Sequence, residues 1–331
     1  MQVEKLISKK TEFNSNGVVL VTGGAGRLGR RIIFELLSKG ITVRALVKEK
    51  SDVNLLPFGT VPYVGDITSE DVIFDACKGI DTVYHFAAIV SQREKGHKEI
   101  LRVNSAGTKM VLEAADLGGA KRIILSSSVD VYGSKRNGPL TEASTLMPND
   151  MYGHSKMLAE KQIESFHGNI SYTILRMATI YGEEFKDSFF KIFKLINNNK
   201  AYMIGNGKNH LSLVHIDDVA RAMILARSSQ LAANKIYNLT DGKVYTQESL
   251  FNLAAELLNK KQQHIGHINT LVAKVLSKKA GITIDDMRFI TSNRIINIDK
   301  ISKELGFKPT VDIKVAGKEL VDSFLLEYKG N

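Results

Sequence analysis

The sequence contains few of the features that mark disulfide-stabilised, secreted or membrane-spanning proteins. Its 331 residues include one cysteine, Cys77, and no tryptophan. A lone thiol among apolar neighbours is typical of the reducing cytoplasm, and we expect Cys77 to be a small buried side chain rather than a nucleophile. No apolar run is long enough to cross a bilayer. Residues 1–16 are polar, which predicts a leader segment and not a secretion signal.

The chain carries an excess of positive charge, with a formal net charge of +10. Such an excess is compatible with a nucleic acid, an anionic membrane, or an anionic cofactor and substrate. The lysines are scattered and no groove-reading motif is present, so we do not expect nucleic-acid binding. The exception is the basic, amphipathic stretch 271–279. We favour a solvated helix that covers a core here, with membrane contact as the less favoured alternative.

Short β-branched runs alternate with helical patterns through the first part of the chain. This alternation predicts an α/β fold, a doubly wound parallel sheet of the Rossmann type, over residues 17–181. Helical patterns dominate afterwards, which predicts a smaller, mainly helical substrate lobe over residues 182–331. Residues 208–240 are expected to return to the first domain. The predicted strands are Val18–Val21, Thr42–Val47, Pro62–Val64, Thr82–Phe86, Arg122–Leu125, Tyr172–Leu175 and Lys235–Leu239.

A glycine-rich turn separates the first predicted strand from the first predicted helix. Residues 22–29 read Thr-Gly-Gly-Ala-Gly-Arg-Leu-Gly. In this context Gly23 makes the tight turn, Gly26 lets the backbone approach a pyrophosphate, and Gly29 lets the helix pack on the strand. The phosphates are expected at the helix N-terminus, where unpaired N–H groups and the positive end of the dipole attract them. The turn therefore predicts dinucleotide binding.

A second group of residues has the composition of a proton-transfer site. Tyr152 and Lys156 are spaced i, i+4 at the start of a predicted helix, so they share one face. A free tyrosine has a pKa of about 10, and a neighbouring ammonium and the positive nicotinamide ring would lower it. Ser126, Ser127 and Ser128 follow a predicted strand, where a hydroxyl can reach a substrate oxygen. Helix capping is the alternative for these serines.

Together these motifs resemble those of the extended short-chain dehydrogenases/reductases, a group that includes sugar-nucleotide epimerases, dehydratases and dihydroflavonol-type reductases. The similarity runs from about residue 17 to residue 328. Besides the glycine turn, it is carried by Gly65-Asp66, His85–Ala88, Asn104, Ser126–Gly133, Tyr152 with Lys156, Leu175–Gly182, Val214–Ala220 and Asp299–Pro309.

The resemblance implies a role for each candidate residue. Ser128 would polarise the substrate oxygen, Tyr152 would be the general acid/base, and Lys156 would hold the nicotinamide ribose and lower the pKa of Tyr152. Asp66 and Ile67 would contact adenine, and Asn104 would support the active-site helix. The full set of implied cofactor residues is Gly23, Gly26, Arg27, Leu28, Gly29, Lys48, Asp66, Ile67, Ala87, Ala88, Asn104, Tyr152, Lys156 and Met177.

Two histidines lie within these motifs, but their surroundings do not predict a metal site. Neither His85 nor His215 is accompanied by other residues at ligand spacing. The motif around His215 also contains Asp217, which we expect to cap a helix rather than to act in catalysis.

The cofactor preference depends on the end of the second predicted strand. Enzymes that prefer NAD place an acid there to hold the ribose hydroxyls, whereas this chain has Val47 and Lys48. A cation can pair with a 2′-phosphate, so NADP is preferred over NAD. NAD remains the alternative because of Glu49, since a shift of register would bring its carboxylate to the ribose.

Other departures from the family pattern bear on the reaction. Only Asp130 remains of the acidic pair that dehydratases carry, so dehydration is not expected, and Asp130 is a candidate substrate residue. Leu211 replaces the arginine that grips the diphosphate in many nucleotide-sugar enzymes. Lys208, His210 and Arg294 could substitute for that arginine, although surface positions are the favoured interpretation for all three.

The sequence therefore predicts a cytoplasmic NAD(P)-dependent oxidoreductase that acts on a secondary alcohol or its ketone. The alternative is a nucleotide-sugar epimerase with tightly held NAD, and a remote one is an inactive dinucleotide-sensing regulator. The predicted partner is a small-molecule substrate, with a sugar nucleotide as one candidate. The resemblance also implies a homodimer formed through the predicted helices 98–117 and 151–167.

Overall fold

The computed structural model describes residues 17–90, 96–260, 265–279 and 283–329, so the expected leader 1–16 lies outside the described residues. The strands, in chain order, are β1 (Val19–Thr22), β2 (Val43–Val47), β3 (Val61–Val64), β4 (Thr82–His85), β5 (Arg122–Ser128), β6 (Lys135–Leu140), β7 (Ser171–Met177), β8 (Thr179–Tyr181), β9 (Tyr202–Ile204), β10 (His210–Leu211), β11 (Leu213–His215), β12 (Lys235–Leu239), β13 (Tyr245–Thr246), β14 (Gly266–Ile268) and β15 (Asn293–Ile296).

The α-helices are α1 (Arg27–Ser38), α2 (Glu70–Cys77), α3 (His97–Leu101), α4 (Gly107–Leu117), α5 (Met151–Glu164), α6 (Asp187–Asn197), α7 (Ile216–Ser228), α8 (Gln247–Leu257), α9 (Thr270–Lys279), α10 (Ile284–Ile290), α11 (Asp299–Leu305) and α12 (Ile313–Lys329). A π-helical turn, Arg102–Ala106, joins α3 to α4. Short 3₁₀-helices cover Lys50–Leu55, Val129–Tyr132, Glu183–Phe185 and Gln230–Ala232.

A parallel sheet forms the centre of the fold, in the order β3-β2-β1-β4-β5-β7-β12. Its inner strands are buried on both faces, which explains why they read as continuous apolar runs. Helix α1 buries the stripe Ile32, Ile33 and Leu36 against one face. Ile73 and Val111, on α2 and α4, belong to the core on the other face. The prediction of a doubly wound Rossmann-type sheet is confirmed.

The segment after residue 181 divides between two cores. Strand β12 completes the central sheet beside β7, and α7 packs against α1. A second core contains Phe189, Phe193, Phe251 and Phe324 from α6, α8 and α12. The short strand pairs β9–β14 and β6–β15 hold this smaller, mainly helical lobe together and connect it to the first domain. Asp187 and Ser188 of α6 line the same cavity as the carboxyl ends of β5 and β7, which is where ligands bind in sheets of this type.

Two features of the helices differ from expectation. The predicted helix 98–117 is interrupted by the π-helical turn, which inserts an extra residue into the helical register. Apart from the buried Ala273, the apolar side chains of α9 do not cover a core as predicted, because Leu271 and Val275 are 75% and 62% exposed. Cys77 is buried as expected, and burial raises the pKa of its thiol to about 12.

No helix in the described part of the chain has both the length and the apolar character needed to span a bilayer.

Candidate active site

The glycine turn lies between β1 and α1 and forms a close cradle. Gly23 has φ +68°, and a Cβ there would lie 2.8 Å from the backbone nitrogen of Ala87. A Cβ on Gly29 would collide with the carbonyl oxygens of Gly23 and Gly24. Gly26 precedes the first helical residue of α1, and no side chain caps this helix end. The turn thus leaves the α1 N-terminus open to an anion.

Two adjoining cavities extend from this turn in opposite directions. The first, of about 270 Å³, runs toward the carboxyl ends of β2 and β3 and is lined by Gly23, Gly26, Leu46, Val47, Lys48, Gly65, Asp66, Ile67, Phe86, Ala87, Ala88, Ile89 and Val103. The second, of about 590 Å³, is the catalytic cleft. Its lining includes Gly23, Gly26, Arg27, Leu28, Gly29, Phe86, Ala88, Ser126, Ser127, Ser128, Asp130, Tyr152, Lys156, Met177, Phe185, Asp187, Ser188 and Arg294.

Most of the cofactor residues expected from the sequence therefore lie on one continuous groove. Lys48 is exposed at the end of β2 and lines the first cavity. Glu49 begins the following 3₁₀ helix, and its backbone N–H donates to Asp52 Oδ2 at 3.1 Å. Asp66 accepts hydrogen bonds from the backbone nitrogen and hydroxyl of Thr68 at 2.9 and 2.7 Å. Burial alone would raise the pKa of Asp66, but these hydrogen bonds and the charge of Arg102 outweigh it and lower the pKa.

Asn104 lies behind the groove, where its side chain connects the backbone of Ile89 to helix α5. Its amide oxygen accepts a hydrogen bond from the Ile89 backbone nitrogen at 2.7 Å. Its amide nitrogen donates to the carbonyl oxygen of Ile89 and to the Ser155 hydroxyl on α5, both at 2.9 Å. These contacts agree with a supporting role for Asn104.

The three predicted catalytic side chains line the same cleft. Ser128 ends β5, and its hydroxyl donates to Asp130 Oδ2 at 3.1 Å. Tyr152 and Lys156 lie in the first turns of α5, with Lys156 Nζ 5.9 Å from the Tyr152 ring centroid. Lys156 Nζ donates to the carbonyl oxygen of Ser126 at 2.8 Å. The geometry brings a hydroxyl, a phenol and an ammonium to one surface.

Burial dominates the ionisation of these groups. It lowers the pKa of Lys156 to about 8, although the charge of Glu160 opposes the change. It raises the pKa of Tyr152, and the negative charges of Asp130 and Asp150 raise it further. Burial and these two carboxylates set the direction of the pKa shift for Tyr152. The lowering of the Tyr152 pKa by Lys156 and a nicotinamide ring stays a prediction.

Arg294 is a buried part of the site, so its predicted surface position is wrong. Its side chain is 7% exposed and donates to Asp130 Oδ1 at 2.8 Å. It also donates to the carbonyl oxygens of Val129 and Gly133 at 3.0 and 3.2 Å. The parallel pairing of β15 with β6 brings it there across more than 160 residues of sequence. Arg294, Asp130 and Ser128 consequently form a chain of hydrogen bonds.

The structure separates the other two substrate candidates from this cleft. Lys208 is exposed, and its backbone nitrogen is bonded to Asn206. His210 pairs with Asn293 through both its backbone nitrogen and its ring. Neither residue is among the described residues that line the catalytic cleft.

The histidines and Asp217 have structural partners. His85 lies between the hydroxyls of Thr22 and Thr108 at 2.7 and 2.9 Å. His215, and not Asp217, caps α7 through a hydrogen bond from the Asp217 backbone nitrogen. The Asp217 carboxylate instead pairs with Arg31 at 2.8 Å. Within the described ranges, no cluster of three or more metal-ligating side chains is present.

A buried ion pair under the catalytic cleft was missed by the sequence analysis. Glu160 on α5 and Arg176 on β7 are 0% and 3% exposed and lie 2.6 Å apart. Glu160 also accepts a hydrogen bond from Ser127, which is adjacent to Ser128. Arg176 continues the network to the Tyr132 hydroxyl at 2.9 Å. The only sequence signal for the pair was the presence of charges in otherwise buried elements.

A Rossmann sheet with this glycine turn and this Ser–Tyr–Lys arrangement defines an extended short-chain dehydrogenase/reductase. The chain belongs to the NAD-dependent epimerase/dehydratase family, whose sequence model matches residues 19–240. The resemblance inferred from the motifs is confirmed, as is the prediction of an NAD(P)-dependent enzyme of this superfamily.

Similar proteins include both epimerases and dehydrogenases. The "N-acetyl-alpha-D-glucosaminyl-diphospho-ditrans,octacis-undecaprenol 4-epimerase" of Escherichia coli O157:H7 is 27% identical, over 81% of this chain and 83% of its own. The human "Sterol-4-alpha-carboxylate 3-dehydrogenase, decarboxylating" is 26% identical, over 96% and 90%. The crystal structure of a UDP-glucose 4-epimerase from Thermotoga maritima matches with a TM-score of 0.78 and 24% identity, covering 94% and 99% of the two chains, which supports the fold.

Proposed function

We propose that the protein transfers hydride between a nicotinamide dinucleotide and a secondary alcohol or its ketone. The observation that carries this proposal is the position of Ser128, Tyr152 and Lys156 on one cleft that continues into the glycine cradle. The uncapped α1 N-terminus and the absence of side chains at Gly23 and Gly26 suit a pyrophosphate. When bound, the nicotinamide would accept hydride from the alcohol carbon or supply it to the ketone carbon.

The side chains of the cleft transfer the proton, stabilise the substrate oxygen and position these groups. Tyr152 takes the hydroxyl proton in alcohol oxidation and returns a proton to the oxygen in ketone reduction. Ser128 donates a hydrogen bond to that oxygen as its charge develops. The Lys156 ammonium holds the ribose hydroxyls and favours the phenolate of Tyr152, which a cationic nicotinamide would favour further. Asp130 and Arg294 hold the Ser128 hydroxyl in place through the hydrogen bonds described above.

NADP as the preferred cofactor is a further part of the proposal. Lys48 supports it, because the residue lines the groove at the end of β2 where a 2′-phosphate would lie. We expect NADPH to bind more tightly than NADH, and Lys48→Asp to reverse the order in fluorescence titrations. An order that favours NADH in the unmodified protein would contradict this preference.

The second candidate is an epimerase, because the chain belongs to a family named for epimerases and one relative, similar over 81% of this chain, carries that name. An epimerase would retain NAD through both hydride steps, whereas a reductase would exchange its cofactor. The first test is the mass and absorbance of any dinucleotide that co-purifies. The second compares cofactor consumption with sugar isomerisation, using Tyr152→Phe as the inactive control. Binding of neither dinucleotide would overturn the whole proposal.

The names of the relatives also widen the substrate classes to be tried. One name refers to a sugar linked to a polyprenol through a diphosphate, and the other refers to a sterol. Both compounds have a large apolar part. We include such lipids beside nucleotide sugars and simple ketones. We further propose a cytoplasmic homodimer, formed through the segments 98–117 and 151–167, which contain α4 and α5. A sedimentation mass equal to one chain would contradict the dimer.

A further inference from the structure

Helix α9 presents an apolar surface to solvent. Leu271 and Val275 are 75% and 62% exposed, and Val272 and Leu276 are each 42% exposed. Ala273, in contrast, is buried and anchors the helix to the lobe. Four large aliphatic side chains exposed within six residues form a contiguous patch, which is uncommon on the surface of a soluble protein and indicates an interaction site.

The charge of the same segment indicates what covers it. The sequence of α9, Thr-Leu-Val-Ala-Lys-Val-Leu-Ser-Lys-Lys, has three lysines and no acidic residue. Apolar residues interspersed with lysines are typical of helices that lie in the interface of an anionic bilayer. At ten residues, the helix is too short to cross the membrane. We propose that α9 docks the protein on the surface of an anionic lipid bilayer.

The neighbouring strand extends this surface toward the catalytic cleft. Helix α9 begins two residues after β14, which pairs with β9. Tyr202 on β9 is 48% exposed and lines a small, mostly apolar cavity. Ser188 lines both that cavity and the catalytic cleft. A tyrosine at the rim suits the bilayer interface, where its ring is half-buried and its hydroxyl meets water.

A second copy of this chain fits the patch less well. A two-fold symmetric contact through α9 would bring the same segment of both copies into one interface, and each segment has three lysines. No acid within the helix would compensate their positive charge. An anionic lipid surface supplies the missing negative charge and buries the apolar side chains at the same time.

The test is co-sedimentation of the full chain with phosphatidylcholine vesicles that contain about one third phosphatidylglycerol. We expect binding that weakens with added salt and with vesicles of phosphatidylcholine alone. L271Q/V275Q should lower the partition coefficient at least about tenfold, because two aliphatic side chains no longer enter the interface. The matched control is V315Q/L326Q on α12, which removes a valine and a leucine with exposures of 59% and 77%.

The outcomes separate this inference from the proposed function. Equal losses in both variants, or no vesicle binding by the unmodified protein, would overturn the docking proposal. Conversion of a dimer to a monomer by L271Q/V275Q, without vesicle binding, would assign the patch to a second copy. Circular dichroism and dinucleotide titration of each variant show whether it is folded. Dinucleotide binding and turnover without vesicle binding would leave the proposed function standing and refute the docking alone.

Discussion

The Glu160–Arg176 pair allows a quantitative test of what holds the catalytic helix against the sheet. Arg176 Nε lies 3.0 and 3.1 Å from the two carboxylate oxygens of Glu160, and Nη2 lies 2.6 Å from one of them. Both residues are almost fully buried. Glu160→Gln keeps the shape of the side chain but leaves the guanidinium without a counter-charge, which costs about 3–5 kcal/mol for a buried pair.

This cost can be converted into a melting temperature. Unfolding entropies of about 2.1 cal/mol/K per residue, applied to 331 residues, give about 0.7 kcal/mol/K. The expected decrease in Tm for Glu160→Gln is therefore about 4–7 °C, measured by scanning calorimetry. Asp75→Asn is the matched control, because its partner Lys78 is 75% exposed and exposed ion pairs contribute little. We expect no measurable change in Tm for this control.

A double variant checks the cause of the loss. E160M/R176M removes both charges, so no uncompensated ion remains and the double variant should be more stable than E160M alone. A Tm for Glu160→Gln equal to that of the unmodified protein would refute the assignment of this network as a determinant of stability. The assignment would also be refuted if the stability losses of E160M and R176M summed to the loss of E160M/R176M, because the losses of two residues in one interaction are not additive.

Three further predictions concern the cofactor and the chemistry. Tyr152→Phe should lower turnover by about 10²–10⁴-fold in steady-state assays while dinucleotide affinity is kept; a comparable loss of affinity would refute the proton-transfer role. Gly29→Ala should abolish dinucleotide binding in titrations, because its Cβ collides with backbone oxygens, whereas Gly96→Ala, with no described atom within 4 Å of its Cβ, should not. Asp130→Asn removes a charge that raises the pKa of Tyr152. The acidic limb of the kcat/KM profile for alcohol oxidation should then move to lower pH, and an unshifted profile would contradict the coupling.

The sheet and the glycine turn could be predicted because their signals are local. Inner strands of a parallel sheet are buried on both faces, so they read as apolar runs, and Lys235–Leu239 has the predicted bounds. The apolar run Arg122–Leu125 likewise placed the three serines at the end of a strand. In the structure β5 extends through all three of them. The turn residues Gly23 and Gly29 are dictated by φ and by close backbone approach, which few other residues tolerate.

The connections between distant segments could not be predicted in this way. Arg294 reaches Asp130 only because β15 pairs with β6, and a strand of four residues gives no distinctive pattern. The amphipathic sequence of α9 predicted a covered apolar face, but periodicity does not reveal which face meets the protein. The spacing of Tyr152 and Lys156 likewise does not reveal that burial and the carboxylates of Asp130 and Asp150 raise the pKa of Tyr152.

The π-helical turn at Arg102–Ala106 has a consequence for engineering and for alignment. One added residue rotates everything after it by about 100° relative to an uninterrupted α-helix. A helical wheel drawn through residues 97–117 therefore misassigns the inner face of one half. Deleting one residue from this turn would improve the local helix and yet detach Asn104 from Ile89 and Ser155. The π-helical turn therefore positions the wall of the groove, and sequence changes that convert it into regular α-helix should break the hydrogen bonds of Asn104.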